Sequence, residues 1–142
     1  MPDKFPDEWL ASSLEGTVTP EAVTEIRAKA APGRTLWECI VEQRVATDEE
    51  IVKALSARFR IKPADLTQLD SAVKDAVPEQ LARHYRVLPL RLTDSFLEIA
   101  TANPFDIDAE KALAFATGRE IRVALLQPSK ISEKLDEMYR PE

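Results

Sequence analysis

The hydrophobic period of this sequence changes once, near residue 61, and that change constrains the fold more than any other feature. Before it, apolar residues recur with a helical period, as in "TDEEIVKALSARF", where Ile51, Leu55 and Phe59 share one face. After it, "RVLPLRL" and "FLEIATA" alternate in polarity around a "TDS" turn, a pattern typical of a β-hairpin. A helical first half and a mixed second half predict an α+β fold.

Two helix-start signals support the helical half. Thr19 stands before Pro20, and proline suits the first helical position because an N–H there would have no helical partner. Thr47 and Glu50 have the spacing of a capping box, in which each side chain bonds to the backbone of the other residue. Both segments are therefore predicted to be helices with one buried side.

A weak internal repeat runs through the same half. The stretches that begin at Leu10 and Leu36 each read as a short helix, a turn, a threonine cap and a second helix. In the second stretch, Leu36, Ile40 and Val41 lie on one helical face. Two helical hairpins would pack on each other, because neither buries its apolar face alone. Chance similarity between short helices is the alternative explanation.

Proline, aspartate and glycine mark the element ends of the second half. Pro89 places the first strand at a sheet edge or puts the proline at a position without a ladder hydrogen bond, because proline has no N–H to donate to a neighbouring strand. The segment "DIDAEKALAFATG" is predicted to be a helix that is capped by Asp106 and ended by Gly118. In the third strand, "EIRVALL", we expect Ile121, Val123 and Leu125 to face inward and Arg122 and Ala124 to face outward. The terminal helix places on one face Ile131, Leu135 and Met138.

We therefore predict three parts along the chain. Residues 1–61 form a helical subdomain of two hairpins, and residues 62–77 form a connector with a short helix. Residues 78–142 form an α+β subdomain in the order β-hairpin, helix, strand, helix. The helical half is expected to pack on a small three-stranded sheet with its helices on one side.

Composition excludes several classes of function. The 25 acidic and 19 basic residues give a net charge of -6, and the basic residues are scattered, so we expect no nucleic-acid partner. The lone Cys39 has no disulfide partner and no metal-ligand spacing around it. No apolar run approaches the ~20 residues that span a bilayer. We expect a cytoplasmic protein that reaches a membrane only through a partner.

The chain carries no recognisable catalytic motif. Its single histidine, His84, ends a predicted helix beside Arg83 and Arg86, where cations complement the helix dipole. No nucleophile or paired carboxylate lies near it in sequence, although distant residues could meet it in the fold. The glycines do not have the spacing of a phosphate-binding loop. We predict a non-enzymatic protein that uses no cofactor and no metal.

Five motifs in the second half resemble a known family. They are Pro78 at a helix start, the strand Val-Leu-Pro-Leu at 87–90, Asn-Pro-Phe-Asp at 103–106, Thr-Gly at 117–118, and Tyr139 in the terminal helix. In this order and at this spacing they resemble the amino-terminal region of the type II secretion and type IV pilus assembly ATPases. The resemblance covers about sixty residues, and the helical first half has the matching layout.

The resemblance implies an adapter role. In that family the region docks on cytoplasmic domains of inner-membrane assembly proteins, and a later P-loop module, which this sequence does not contain, hydrolyses ATP. Similar modules are also fused to other enzymes, including glycosyltransferases. We expect the docking contacts to come from apolar side chains on the first helices, with Phe5 and Trp9 as the anchors.

The family also implies an alternative role as a cyclic di-GMP-binding regulatory domain. Some relatives bind this nucleotide through two tandem motifs that resemble Leu-Gly-x-x-Leu-Val-x-x-Gly, followed by Leu-x-x-x-Leu-x-x-Gln and often preceded by arginine. The repeat described above falls at the same place. Here Trp37 and Arg44 replace the glycines of the second motif, Arg58 replaces the glutamine, and Arg34 lies one residue before the usual arginine position. These four residues are the candidate ligand-binding side chains of the alternative role. We expect the bulky Trp37 and Arg44 to block the usual pose, because glycine permits close backbone approach.

Overall fold

The computed structural model describes residues 7–14, 16–30 and 33–139. It divides the chain into two compact units, residues 1–61 and residues 62–142. The described part of the first unit is helical, and the described part of the second contains a sheet and helices. The α+β class predicted from the change of period is confirmed.

The first unit contains four α-helices within its described residues. They are α1 (Trp9–Ser13), α2 (Pro20–Lys29), α3 (Leu36–Glu42) and α4 (Asp48–Phe59). A threonine N-cap precedes three of these helices. The first N–H groups of a helix have no partner within it, and the hydroxyl of the cap accepts from one of them. The Thr19 hydroxyl accepts from the Ala22 N–H at 3.1 Å, and Thr47 and Glu50 form the predicted capping box. The cap of α3 is a second capping box, between Thr35 and Glu38, which was not among the predicted helix-start signals.

The core of the first unit is built from one face of each helix. Trp37 is fully buried in it, whereas Val41, predicted to share a face with Leu36 and Ile40, is half exposed. The buried face of α3 therefore includes the aromatic ring rather than Val41. The fully buried large side chains of this unit are Leu10, Leu14, Ile26, Leu36, Trp37, Ile40, Ile51 and Leu55.

The second unit begins with two short 3₁₀ segments, Leu66–Gln68 and Ser71–Asp75. Its remaining elements are α5 (Glu79–Tyr85), β1 (Val87–Leu92), β2 (Phe96–Thr101), α6 (Ile107–Thr117), β3 (Glu120–Leu125) and α7 (Pro128–Met138). The predicted end signals of α6 are confirmed, because the Asp106 carboxylate accepts from the Ala109 N–H at 3.1 Å and Gly118 adopts φ +68. Glycine tolerates this left-handed conformation without a steric cost.

The strands of the described residues form one sheet in the order β1-β2-β3. β1 and β2 are antiparallel with an irregularity between Pro89 and Arg91, and β2 and β3 are parallel. The edge position predicted for the strand that contains Pro89 is confirmed. Segment 62–64 lies along the end of β3, where the Leu125 N–H donates to the Lys62 carbonyl at 2.9 Å.

The core of the second unit uses both sheet residues and helix faces. Ala124, predicted to face outward, is fully buried, whereas Ile121 and Val123 are half buried. The prediction for Ala124 was wrong because this end of the strand is covered on both faces. The buried residues of this core are Val73, Val77, Ala82, Val87, Leu88, Leu90, Leu97, Ile99, Ala100, Leu113, Ala124, Leu126, Ile131, Leu135 and Met138.

Among the described residues, none of the helices has both the length and the apolar character needed to cross a bilayer.

Candidate binding surfaces

The turn between α3 and α4 contains a cavity of about 450 Å³. Arg44 lies in this turn with φ +59, the left-handed conformation that favours glycine. Arg44 thus stands at a position whose backbone suits the glycine of the family motif. The residues that line the cavity are Val41, Arg44, Val45, Ala46, Thr47, Asp48, Glu49 and Glu50. The lining carries one guanidinium and three carboxylates, so it has no excess of positive charge for a phosphate.

Trp37 does not line this cavity. Its side chain is 0% exposed, and its indole Nε1 donates to the Asp48 Oδ1 at 2.9 Å. This bond fixes the start of α4 to α3, and the ring has no exposed face on which a base could stack. The predicted ligand-binding role of Trp37 therefore requires the first unit to rearrange.

The other two predicted ligand-binding arginines lie away from the cavity lining. Arg34 is held at α3 by ion pairs with Glu38 at 3.4 Å and with Glu42. Arg58 is exposed in the last turn of α4, with its guanidinium 5.7 Å from the centre of the Phe59 ring. The structure therefore brings only Arg44 of the four predicted residues to the cavity.

Asp7 is a buried carboxylate that was not predicted from the sequence. It is 4% exposed, and it accepts hydrogen bonds from the backbone N–H groups of Leu36 at 2.7 Å and Trp37 at 3.0 Å. Burial raises the pKa of Asp7 above its usual range, and the two N–H donors oppose that rise. Its partners are about thirty residues away in sequence, so no local pattern identifies them.

The predicted partner-binding residues differ in what the structure describes. Phe5 lies outside the described residues. Trp9 is half buried in α1, and its ring lies edge-on to Phe59 with the ring centres 6.2 Å apart. Part of the Trp9 surface is therefore already used within the first unit.

Two exposed apolar side chains, Ile107 and Phe115, lie two turns apart on α6 with the exposed Lys111 between them, and we term this pair the α6 stripe. These side chains are 62% and 93% exposed, and their spacing of eight residues places them on one side of α6. Ala109 and Leu113, on the opposite side, are buried. Phe105, in the turn before α6, is 45% exposed. The segment "DIDAEKALAFATG" held this signal, because its apolar residues occupy more than one face.

Residues with catalytic or metal-binding potential are dispersed. His84 is exposed at the end of α5, with its ring edge-on to Tyr85 at 4.6 Å. Cys39 is buried, and burial raises the pKa of its thiol. In the part of the chain that the structure describes, His, Cys, Asp and Glu form no group of three or more that could hold a metal ion.

Comparison of the sequence with protein families gives a match in the second part of the chain. The family described as MshEN domain matches residues 59–142, more than half of the chain. The type IV pilus assembly ATPase PilB of Pseudomonas aeruginosa is 26% identical over 82% of this chain and 21% of its own length. Bacteriophage adsorption protein B of Escherichia coli is 25% identical over 86% of this chain and 17% of its own length. The chain spans about a fifth of the length of these relatives.

Solved structures show the same fold. MshE with cdg has a TM-score of 0.70 at 21% identity, covering 92% of this chain and 98% of that one. The N-terminal domain of XpsE has a TM-score of 0.69 at 16% identity, covering 99% of this chain and all of that one. At these identities the two structures establish the fold alone.

Proposed function

This chain belongs to the MshEN domain family, and we propose that it is the non-catalytic amino-terminal adapter of a secretion or pilus-assembly ATPase. The similarity to PilB supports an ATPase parent, and the fold it shares with the N-terminal domain of XpsE supports a position before the motor. In this proposal ATP hydrolysis belongs to a C-terminal module, because the glycines of this chain do not have the spacing of a phosphate-binding loop. A parent of another kind is the alternative, supported by the similarity to bacteriophage adsorption protein B.

The α6 stripe is the observation that carries the adapter proposal. Large apolar side chains that are 62% and 93% exposed leave apolar area in water that a partner would bury. Aromatic residues are also enriched among the side chains that dominate binding energy at interfaces. We propose that the stripe docks on a cytoplasmic domain of an inner-membrane assembly protein. Such docking would hold the chain at the inner membrane without insertion.

Binding measurements with purified proteins test this proposal. The ligands are the cytoplasmic domains of the inner-membrane assembly proteins encoded with the parent gene. Replacing Ile107 and Phe115 together with serine should weaken binding by about 100-fold, the sum of two losses of about 1.4 kcal/mol each. Ala116→Ser is the matched control, because Ala116 is exposed on the same helix. If none of these cytoplasmic domains binds the chain tightly, the adapter role is refuted.

The sequence predicts a different docking site from the α6 stripe, with Phe5 and Trp9 as its anchors. Replacement of both with alanine should leave binding within about threefold of the original chain if the α6 stripe is the docking surface. Loss of binding in this variant, with the α6 variant unaffected, would place the docking site on the first unit instead. The thermal transition of each variant has to be measured alongside, because the Trp9 ring contacts Phe59.

Cyclic di-GMP binding is the second candidate function, and the conformation of Arg44 favours it. A left-handed residue at a motif glycine position supports the alignment of this turn with the nucleotide motif of the family. MshE, solved with cdg, which we take as cyclic di-GMP, has the same fold. The buried Trp37 and the carboxylates of the cavity oppose binding.

Calorimetry with cyclic di-GMP separates the two functions. We expect no binding tighter than about 100 μM, which corresponds to about -5.5 kcal/mol. Micromolar binding that is lost in Arg44→Glu would establish the regulatory function at this turn. The Lys53→Glu variant, an exposed change on α4 with the same charge difference, controls for the net charge.

A further inference from the structure

The outer edge of β3 presents main-chain groups that pair with no strand among the described residues. At Leu125 the N–H and C=O point outward, because they bond to Lys62 at 2.9 Å and to Ala64 at 2.8 Å. Main-chain groups alternate sides along a strand, so those of Ile121 and Val123 point the same way. The described strands pair β3 only with β2, and segment 62–64 reaches only its last residues. The first four residues of β3 therefore offer an open edge.

Opposite charges alternate with apolar residues along this edge. Glu120 and Arg122 lie on one face of the strand, with side chains 68% and 57% exposed. Their contact with each other is long, at 3.7 Å. The guanidinium of Arg122 lies over the Phe96 ring of β2, 4.0 Å from the ring centre, so it has to turn toward the outer edge to pair across it. Ile121, between them, faces the other side and is half buried.

This pattern is complementary to itself. If two β3 edges meet antiparallel with Ile121 opposite Ile121 of a second copy, each Glu120 lies opposite Arg122 of the other copy. The two Ile121 residues then exchange both main-chain hydrogen bonds. A shift to the next hydrogen-bonding register would place the two Arg122 guanidinium groups opposite each other, which is unfavourable. Charge therefore selects one register.

In the selected register the residue of the second copy opposite Leu125 is Thr117, the last residue of its α6, so the strand pairing ends before the position that segment 62–64 occupies. The pairing is isologous, so it closes on itself and does not propagate into a filament.

We propose that two copies of this chain associate through their β3 edges, with Ile121 at the two-fold axis and two Glu120–Arg122 ion pairs across it. The interaction joins the two sheets into one continuous sheet. It goes beyond the adapter function, and it uses a surface other than the α6 stripe. The short ladder buries less area than a standard interface, so we expect a weak dimer.

Sedimentation measurements on the complete chain between about 10 and about 500 μM test the proposal. The original chain should show a concentration-dependent dimer. Arg122→Glu and Glu120→Arg should each weaken it at least about tenfold, because like charges then face each other. An equimolar mixture of the two variants should form a heterodimer, and a chain with both substitutions should dimerise like the original. A monomer at every concentration, or a mixture no heavier than its components, would overturn the proposal.

Two further variants keep the test independent of the charges. Ile121→Pro removes an N–H that points away from the sheet, so the fold should survive while the dimer is lost. The Lys130→Glu variant on α7 changes the net charge by the same amount as Arg122→Glu and should leave the dimer unchanged. Dissociation caused by Lys130→Glu to the same degree as by Arg122→Glu would show that net surface charge, rather than β3 pairing, governs association. Circular dichroism confirms that each variant is folded.

Discussion

Replacing Asp7 with alanine should destabilise the first unit by about 2–3 kcal/mol. The carboxylate accepts from the first two N–H groups of α3, at 2.7 and 3.0 Å, and it is 4% exposed. A hydrogen bond to a charged acceptor is worth about 1.5–3 kcal/mol. Because desolvation of the buried carboxylate offsets part of this, about 1–1.5 kcal/mol net remains for each bond. The loss should lower the thermal transition by roughly 10 °C.

Chemical denaturation followed by tryptophan fluorescence measures this loss. Asp65→Ala is the matched control, because Asp65 also accepts a backbone N–H, from Thr67, but is exposed. Water can replace the Asp65 carboxylate as the acceptor at this exposed site, so Asp65→Ala should lower the free energy of unfolding by less than about 1 kcal/mol. A loss below about 0.5 kcal/mol for Asp7→Ala, or an equal loss in both variants, would refute this account.

The pH dependence of Asp7 follows from its raised pKa. Burial penalises the charged form, so the folded state binds the proton more tightly than the unfolded state, whose usual value is 3.8. The resulting stabilisation is fully present below pH 3.8 and is lost as the pH rises through the folded pKa. The free energy of unfolding of the original chain relative to Asp7→Asn should therefore fall across that interval. A rise in this difference across the same pH interval would mean that the two N–H donors stabilise the charged carboxylate more than its burial destabilises it.

Three further substitutions test other features. Arg44→Gly should raise the free energy of unfolding by about 1 kcal/mol, seen as a higher thermal transition, because glycine adopts φ +59 without strain; a lower transition would contradict this. Tyr139→Phe should cost about 1 kcal/mol, because the hydroxyl donates to the Val77 carbonyl at 2.7 Å. Burial raises the pKa of Tyr139 to about 12 from 10.0, so this contribution should be lost as the pH rises through about 12 in denaturation curves. His84→Gln should change stability by less than about 1 kcal/mol and leave partner binding intact, since His84 is exposed; loss of binding at an unchanged thermal transition would make His84 functional.

Features set by neighbouring residues were predictable from the sequence. Thr19 and Thr47 cap their helices as expected, because the acceptor and the donor lie within three residues of each other. Asp106 caps α6 and Pro89 lies in an edge strand for equally local reasons. These signals were enough to predict the α+β class and most element ends.

Features set by distant contacts were not predictable. The burial of Trp37 and the role of Asp7 depend on a contact between segments about thirty residues apart. The burial of Ala124 depends on what covers the second face of the sheet, which alternation in one strand does not reveal. The apolar residues of α6 occupy more than one face, but the sequence did not show which of them would stay exposed, because that choice depends on packing, so the exposure of Phe115 was missed.

The contacts of residues 62–77, which precede α5, determine where a fragment that contains the second unit has to begin. The Lys62 carbonyl accepts from the Leu125 N–H, and the Lys62 ammonium group pairs with the nearly buried Glu98 at 2.9 Å. Val77 is fully buried, and its carbonyl accepts from the Tyr139 hydroxyl at the end of α7. A fragment that begins at Pro78 would lose all of these contacts together and expose part of the sheet to water. We expect such a fragment to aggregate on expression, whereas one that begins at Lys62 should be an autonomous folding unit with a cooperative melting transition.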